Sequence, residues 1–222
     1  MRDVFQKELA EIENGLVEIS QLVRDAIERA AKAFETSDVA LAESVMSDDV
    51  QIDMKANALD ELAINILARQ APVARDLRVV VSALRISASL ERMGDLAAHI
   101  AQLARLRFPE QVGPVAVRET ILKMGQHDIQ IAGRLVELID TQSDEIAEEI
   151  KAADDQIDAF HKSIMDALLA EGLEAQAPQV VDATLASRYH ERFADHAVSI
   201  AKKIQYLTSG DWLTDEECAQ EA

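Results

Sequence analysis

The chain has 222 residues, with 22 Lys and Arg against 41 Asp and Glu, a formal charge of −19, and 49% hydrophobic but only 4% aromatic residues. A chain of this length can bury a core of its own, and seven glycines with four prolines are too few for the turns of a β-rich protein, so the composition predicts an all-α fold. The charge opposes binding to nucleic-acid phosphates and to anionic lipid. No uncharged apolar run reaches the roughly 18 residues of a membrane span, and the opening MRDVFQKELAEIE is charged where a signal peptide would be apolar, which predicts a soluble, cytoplasmic protein. The single cysteine, Cys218, excludes an internal disulfide and a Cys-rich zinc site.

In chain order, apolar residues first fall at Phe5, Leu9, Ile12, Leu16, Ile19, Val23, Ala26 and Ala30, alternating steps of three and four along one stripe of a long helix. Thr36-Ser37-Asp38 supplies side chains that can cap a second helix, predicted from Val39 to about Ala68. Gln70-Ala71-Pro72 is the next break, because a residue before proline is pushed out of the α region; Pro72 suits the first turn of a third helix, which runs to about Arg107. The segment from Phe108 to Pro114, with Pro109 and Gly113, reads as a linker between two bundles.

The second half repeats this grammar: a helix from about Val115 to Asp140, a cap at Thr141-Gln142-Ser143-Asp144, a helix to about Leu169, a turn between Gly172 and Pro178, and a last helix from about Gln179 to Leu207, stopped by Ser209-Gly210. An acidic tail follows, carrying Trp212. The predicted organisation is two tandem antiparallel three-helix bundles, residues 1–108 and 109–210, and a tail, 211–222. One continuous six-helix bundle is the alternative. The halves also match in residues: Asp49-Val50-Gln51-Ile52-Asp53 corresponds to Asp154-Asp155-Gln156-Ile157-Asp158, and Leu90-Glu91-Arg92-Met93-Gly94-Asp95 to His190-Glu191-Arg192-Phe193-Ala194-Asp195, which indicates an internal duplication.

Each matching block holds two acids four residues apart, one turn from each other on one helix face. In so acidic a chain that spacing alone is weak evidence, because it occurs little more often than chance predicts. Position is what distinguishes Asp49/Asp53, Glu91/Asp95, Asp154/Asp158 and Glu191/Asp195. The first two pairs are placed symmetrically about Pro72 and the last two about the turn between Gly172 and Pro178, so each antiparallel hairpin levels four carboxylates against one another. Such a quartet repels itself unless it is protonated, paired with cations or bound to metal, and hard oxygen ligands select Mg, Mn, Ca or iron over zinc and copper. Salt bridges are the competing arrangement: Lys151 and Lys162 border one pair, Arg188 and Lys202 another, and Asn57 and His99 extend the first-half pairs.

Other motifs are weaker. Only Asp158-Ala159-Phe160-His161 approximates the Glu-x-x-His of di-iron bundles, which disfavours redox catalysis. His99, His127, His161, His190 and His196 share no common spacing and read as surface or packing residues. Gly94 and Gly133 lie alone within helices, where close helix approach is expected, and no nucleotide-binding glycine motif occurs. Ala74-Arg75-Asp76-Leu77-Arg78 opens the third helix with two arginines that could hold an anion or pair with acids across the hairpin.

The blocks LERMGDLAAHIA and HERFADHAVSIA, with APVARDLR and the N-terminal F-x-x-E-L stretch, resemble the PhoU family of phosphate-uptake regulators over about residues 2 to 210. The resemblance implies two three-helix bundles, usually a homodimer, whose (E/D)xxxD motifs can carry iron, manganese or similar metals, although members with empty sites exist. Carried over by position, the metal motifs are Asp49, Asp53, Glu91, Asp95, Asp154, Asp158, Glu191 and Asp195. The departures are Ala194 where the first block has Gly94 and His190 where it has Leu90, and His190 puts the second site in question. The resemblance further implies a negative regulator without catalysis, acting between PstB, the ATPase of the phosphate importer, and the sensor kinase PhoR, peripheral to the inner membrane through these partners. The competing classes are an accessory to a different phosphate transporter, a metalloenzyme with turnover at the quartets, and a structural helical protein.

Overall fold

The structure is a computed structural model and describes residues 2–210; Trp212 and Cys218 lie outside the described residues. It consists of α1 (Arg2–Thr36), α2 (Val39–Gln70), α3 (Ala74–Arg107), α4 (Val115–Thr141), α5 (Asp144–Leu168) and α6 (Ala177–Ser209). The predicted caps form: the Asp38 carboxylate accepts the Leu41 amide at 3.0 Å, and the Ser143 hydroxyl accepts the Ile146 amide at 3.4 Å. Gly210 closes α6 in the left-handed conformation at φ 83°. Two boundaries differ from expectation. Pro72 does not open α3: Ala71 turns left-handed at φ 44°, Pro72 and Val73 bridge the hairpin, and the helix begins at Ala74. Pro178 lies inside the first turn of α6, where its missing amide has no helical partner to lose.

Within each half the three helices pack pairwise, α1, α2 and α3 in one and α4, α5 and α6 in the other. The halves are joined by α1 against α4 and α3 against α6, so α1, α3, α6 and α4 close a square with α2 and α5 flanking it. One apolar cluster runs through all six helices, from Leu9 and Ile12 to Ile200 and Ile204. The two bundles are therefore fused through a shared core. The segment after α3 takes part in this: Val112, Gly113 and Pro114 are buried, and Gly113, at φ 75°, would bring a Cβ to 3.2 Å from that of Ala183 on α6. Beside it the Arg107 guanidinium reaches from the end of α3 to the buried Asp182 carboxylate, with Nη2 2.9 Å from Oδ1.

The two halves solve one packing position differently. In the first, Leu90 and Val23 are both fully buried. The spacing that sets Asp49 over Asp154 sets Val23 over Asp128, and His190 replaces Leu90. In the second half these two form a pair, His190 Nδ1 to Asp128 Oδ2 at 2.7 Å, with Asp128 0% and His190 1% exposed. Burial pushes the Asp128 carboxyl up to about 6, against the pull of the His190 contact. His190 thus points into the core and not into the carboxylate seam. Removing either partner leaves a buried polar group alone, so Asp128→Val and His190→Leu should each destabilise the chain by about 2–4 kcal/mol, and the double change, which installs the first-half pair, by less than either. Urea unfolding of the three variants measures this; additive losses would sink it.

Candidate functional site

Hairpin geometry brings each acid quartet to a seam between its two helices. On α2, Asp49 and Asp53 are one turn apart; across the seam stand Asp95 and Glu91 of α3. Burial, then Asp53, Asp95 and Glu91, push the Asp49 carboxyl up to about 6. Gly94 permits this approach: a Cβ there would fall 2.9 Å from Asp49 Oδ1 and from Ile52 Cδ1. Ala194 occupies the corresponding place on α6 and is fully buried, so the second seam already accommodates a methyl group.

Between α5 and α6 the arrangement recurs, with Asp154 and Glu191 half-buried and Asp158 and Asp195 exposed. Burial, then Asp158, Asp195, Asp155 and Glu191, push Asp154 up to about 7. Glu191 is raised by burial, Asp195 and Asp158, against Arg188 and Arg192. Asp154 Oδ1 and Glu191 Oε2 are buried without a hydrogen-bond partner. Asp155 is a fifth acid in this field that the four-residue spacing missed; its adjacency to Asp154 in the duplicated block was the available signal.

Arginines cover one acid of each quartet. Arg92 Nη1 lies 2.7 Å from Asp95 Oδ2, and Arg188 donates to Glu191. Lys151, expected beside Asp154, is paired with Glu148 instead. With side chains in these positions, no group of three His, Cys, Asp or Glu among the described residues is set to hold a metal ion. Uncompensated carboxylates repel one another, and in each quartet one acid is held by a guanidinium instead. The donor chemistry still suits a hard cation, and it suits the second seam better, because two of its oxygens are buried and unsatisfied. His190, which had put that seam in question, is engaged elsewhere.

The remaining histidines pack or border the seams. His99 stacks on Tyr189 with ring centroids 5.2 Å apart, His127 meets Phe160 edge-on at 5.4 Å, and His161 Nδ1 lies 3.1 Å from Ser187 Oγ. Gly133 departs from expectation: nothing lies within 4 Å of where its Cβ would be, and it borders a groove of about 450 Å³ between α4 and α5. Arg134 lines that groove, as its duplicate Arg29 lines one between α1 and α2.

The raised carboxyls give the metal-free chain a definite pH response. Asp49 and Asp154 bind their protons more tightly folded than unfolded, where 3.8 applies, so their contribution to stability is best in acid and is lost as pH rises from about 4 to about 7. Asp49→Asn with Asp154→Asn should therefore melt above the parent at pH 8 in the presence of a chelator, with the gap closing towards pH 4. Thermal unfolding followed by circular dichroism across that range is the check, and a gap that persists undiminished into acid would refute it.

A family model described as the PhoU domain matches residues 16–104 and 121–204, one match to each half. The chain is 35% identical over 216 residues, 97% of either protein, to the phosphate-specific transport system accessory protein PhoU homolog 1 of Mycobacterium leprae. It is 36% identical over 210 residues, 95% of this chain and 99% of the relative, to PhoU homolog 2 of Mycobacterium tuberculosis. The crystal structure of PhoU from Pseudomonas aeruginosa superposes with a TM-score of 0.87 at 27% identity, over 93% of this chain and all of that one. With its duplicated three-helix architecture and both acid blocks in place, the chain belongs to the PhoU family.

Proposed function

We propose that this chain is a non-enzymatic adaptor that restrains phosphate uptake and the phosphate-starvation response, acting as a homodimer between the importer ATPase PstB and the sensor kinase PhoR. The observation that carries this reading is the match of a PhoU domain to both halves, with relatives named as accessory proteins of phosphate-specific transport aligned over nearly their whole length. No helix among the described residues is long and apolar enough to cross a membrane, which suits a cytoplasmic protein that reaches the inner membrane through its partners. Its surface chemistry favours docking over catalysis: a strongly acidic helical body presents charge along whole helices.

The seam acids are the proposed control points. Asp49, Asp53, Glu91 and Asp95 would hold a hard cation at one seam, and Asp154, Asp158, Glu191 and Asp195 at the other. An iron, manganese or magnesium ion there would supply positive charge that cancels the mutual repulsion of the quartet. The residues themselves set how tightly α2 is held to α3 and α5 to α6, because each quartet spans the two helices of a hairpin. The helix pairs thus loosen or close according to how far their carboxylates are neutralised.

Deleting the gene in the source bacterium should raise alkaline phosphatase activity while phosphate is abundant, and the intact gene should restore it to low. Activity that stays low after deletion counts against restraint of the kinase and moves the weight to control of transport alone. For the seams, adding Mn(II), Fe(II) or Mg(II) at a hundredfold excess over its dissociation constant should raise the melting temperature of chelator-treated protein by about 5–10 °C. Asp154→Asn with Glu191→Gln should abolish the part due to the second seam; no shift with any of these cations would eliminate the metal sites.

A further inference from the structure

The buried Asp128–His190 pair stands at the back of a cavity. Between α1 and α4 lies a space of about 180 Å³, walled by Ala31, Phe34, Ile121 and Gly125 and reaching His190 of α6. These walls belong to the interior: Phe34, Ile121 and His190 are 2%, 0% and 1% exposed. Glu35, Glu119 and Lys123 stand at the mouth, in exposed positions. Their charges are matched locally, Lys123 with Glu119 at 2.8 Å and Glu35 with Lys32 at 3.1 Å, so Lys123 is not free to draw an anion inward.

Small residues open the space. A Cβ on Gly125 would stand 3.4 Å from that of Ala31 and 3.5 Å from His190 Cε1, ordinary contact distances, so crowding does not demand a glycine there. The duplicated positions are bulkier, Ser20 for Gly125 and Val136 for Ala31. With Val23 at the position of Asp128 and Leu90 at that of His190, four departures from the repeat meet at one place. Packing explains none of them. A glycine inside a helix costs about 1 kcal/mol against alanine, and a buried polar pair is at best the equal of a well-packed apolar one.

The chemistry of the pair fixes what the cavity offers. His190 Nδ1 lies 2.7 Å from Asp128 Oδ2, which leaves Nε2 as the ring nitrogen available to the cavity. Asp128 has its other oxygen, Oδ1, buried without a partner, so its contact with His190 is the one that orients the ring. A pair so deeply buried is electroneutral, and both electroneutral arrangements, carboxylate with imidazolium and carboxylic acid with neutral imidazole, carry a proton on Nε2. The cavity thus has apolar walls and one N–H donor at its back, the combination that holds and orients small molecules. An apolar cavity of about 150 Å³ already admits a benzene ring, so this one has room for a ring with a short substituent. Apolar walls and a charge-matched mouth disfavour an ion inside.

We propose that the cavity between α1 and α4 binds an uncharged single-ring molecule bearing a carbonyl oxygen, which accepts a hydrogen bond from His190 Nε2 while the ring packs on Phe34 and Ile121. The occupant would touch both α1 and α4, which form one of the two helix contacts joining the halves, and would tie the halves together. The site rests on the cavity and its polar pair and is independent of the reading of the chain as a phosphate regulator.

The test titrates the full-length, methyl-labelled protein with acetophenone and, separately, with α-methylstyrene, which has the same shape but a methylene group in place of the carbonyl oxygen. Saturable NMR shifts centred on the methyl groups of Ala31, Ile121 and Leu122 are expected, with acetophenone bound about fivefold more tightly or better. In Asp128→Val with His190→Leu, which removes the donor and keeps the walls apolar, that preference should vanish. Ala31→Val with Gly125→Ser, which installs the side chains of the duplicated positions, should fill the cavity and weaken both ligands by about tenfold or more. Absence of saturation, as for a cleft that holds only water, would overturn the proposal. So would shifts centred elsewhere, equal binding of the two ligands by the parent, a preference that persists without the donor, or undiminished binding in the filled variant. Should the variant without the donor fail to fold, the ligand comparison on the parent and the filled variant decide.

Discussion

Close approach of small-residue helix faces is the constraint on which the molecule depends. The buried faces of α3 and α6 include Ala83, Ala97, Ala101 and Ala104 on one helix and Ala183, Ala186, Ala194, Ala197 and Ala201 on the other. Short side chains let these two helices pack against each other and, at the same time, each against the other two helices of its own half. The larger apolar residues, Phe34, Phe193, Ile100 and Met124 among them, then fill the space inside the square of α1, α3, α6 and α4. A linker that also packs, through Val112 and Gly113, completes the junction. The two repeats are consequently one cooperative body, although each repeat is recognisable in the chain.

The same close packing is what charges the seams. Gly94 lets α2 and α3 approach until Asp49 is partly stripped of water beside three other acids, and the second hairpin does so more strongly at Asp154. Burial and repulsion act in one direction there, both favouring the protonated form or an added cation. A carboxylate quartet is a poor device for stability and a good one for responsiveness, because its energy changes with whatever neutralises it. That the arginines engage one acid each and leave two oxygens of the second seam unsatisfied keeps this response available.

Duplication explains the symmetry, and divergence explains where it ends. Arg29 and Arg134 line corresponding grooves, and the caps at Asp38 and Ser143 begin corresponding helices. Against this, the positions of the buried apolar Val23 and Leu90 correspond in the second half to the buried Asp128–His190 pair. An isolated change at either would have left a polar group alone in the core. The buried pair gives the second half a polar connection between α4 and α6.

By itself the sequence determined the elements and their levels. Apolar stripes, capping residues and breaks decided the six helices, since these depend on local spacing and backbone chemistry. The placement of the acid pairs about Pro72 and about the Gly172–Pro178 turn decided that each hairpin would level its carboxylates, because an antiparallel hairpin matches residues equidistant from its turn. Tertiary structure decided what no local pattern encodes. The rotation of each helix chose which arginine reaches which acid, sent Lys151 to Glu148, and turned His190 away from the seam towards Asp128. The pairing of α3 with α6 is set by the fit of small-residue faces from distant parts of the chain, and it fused two predicted bundles into one core.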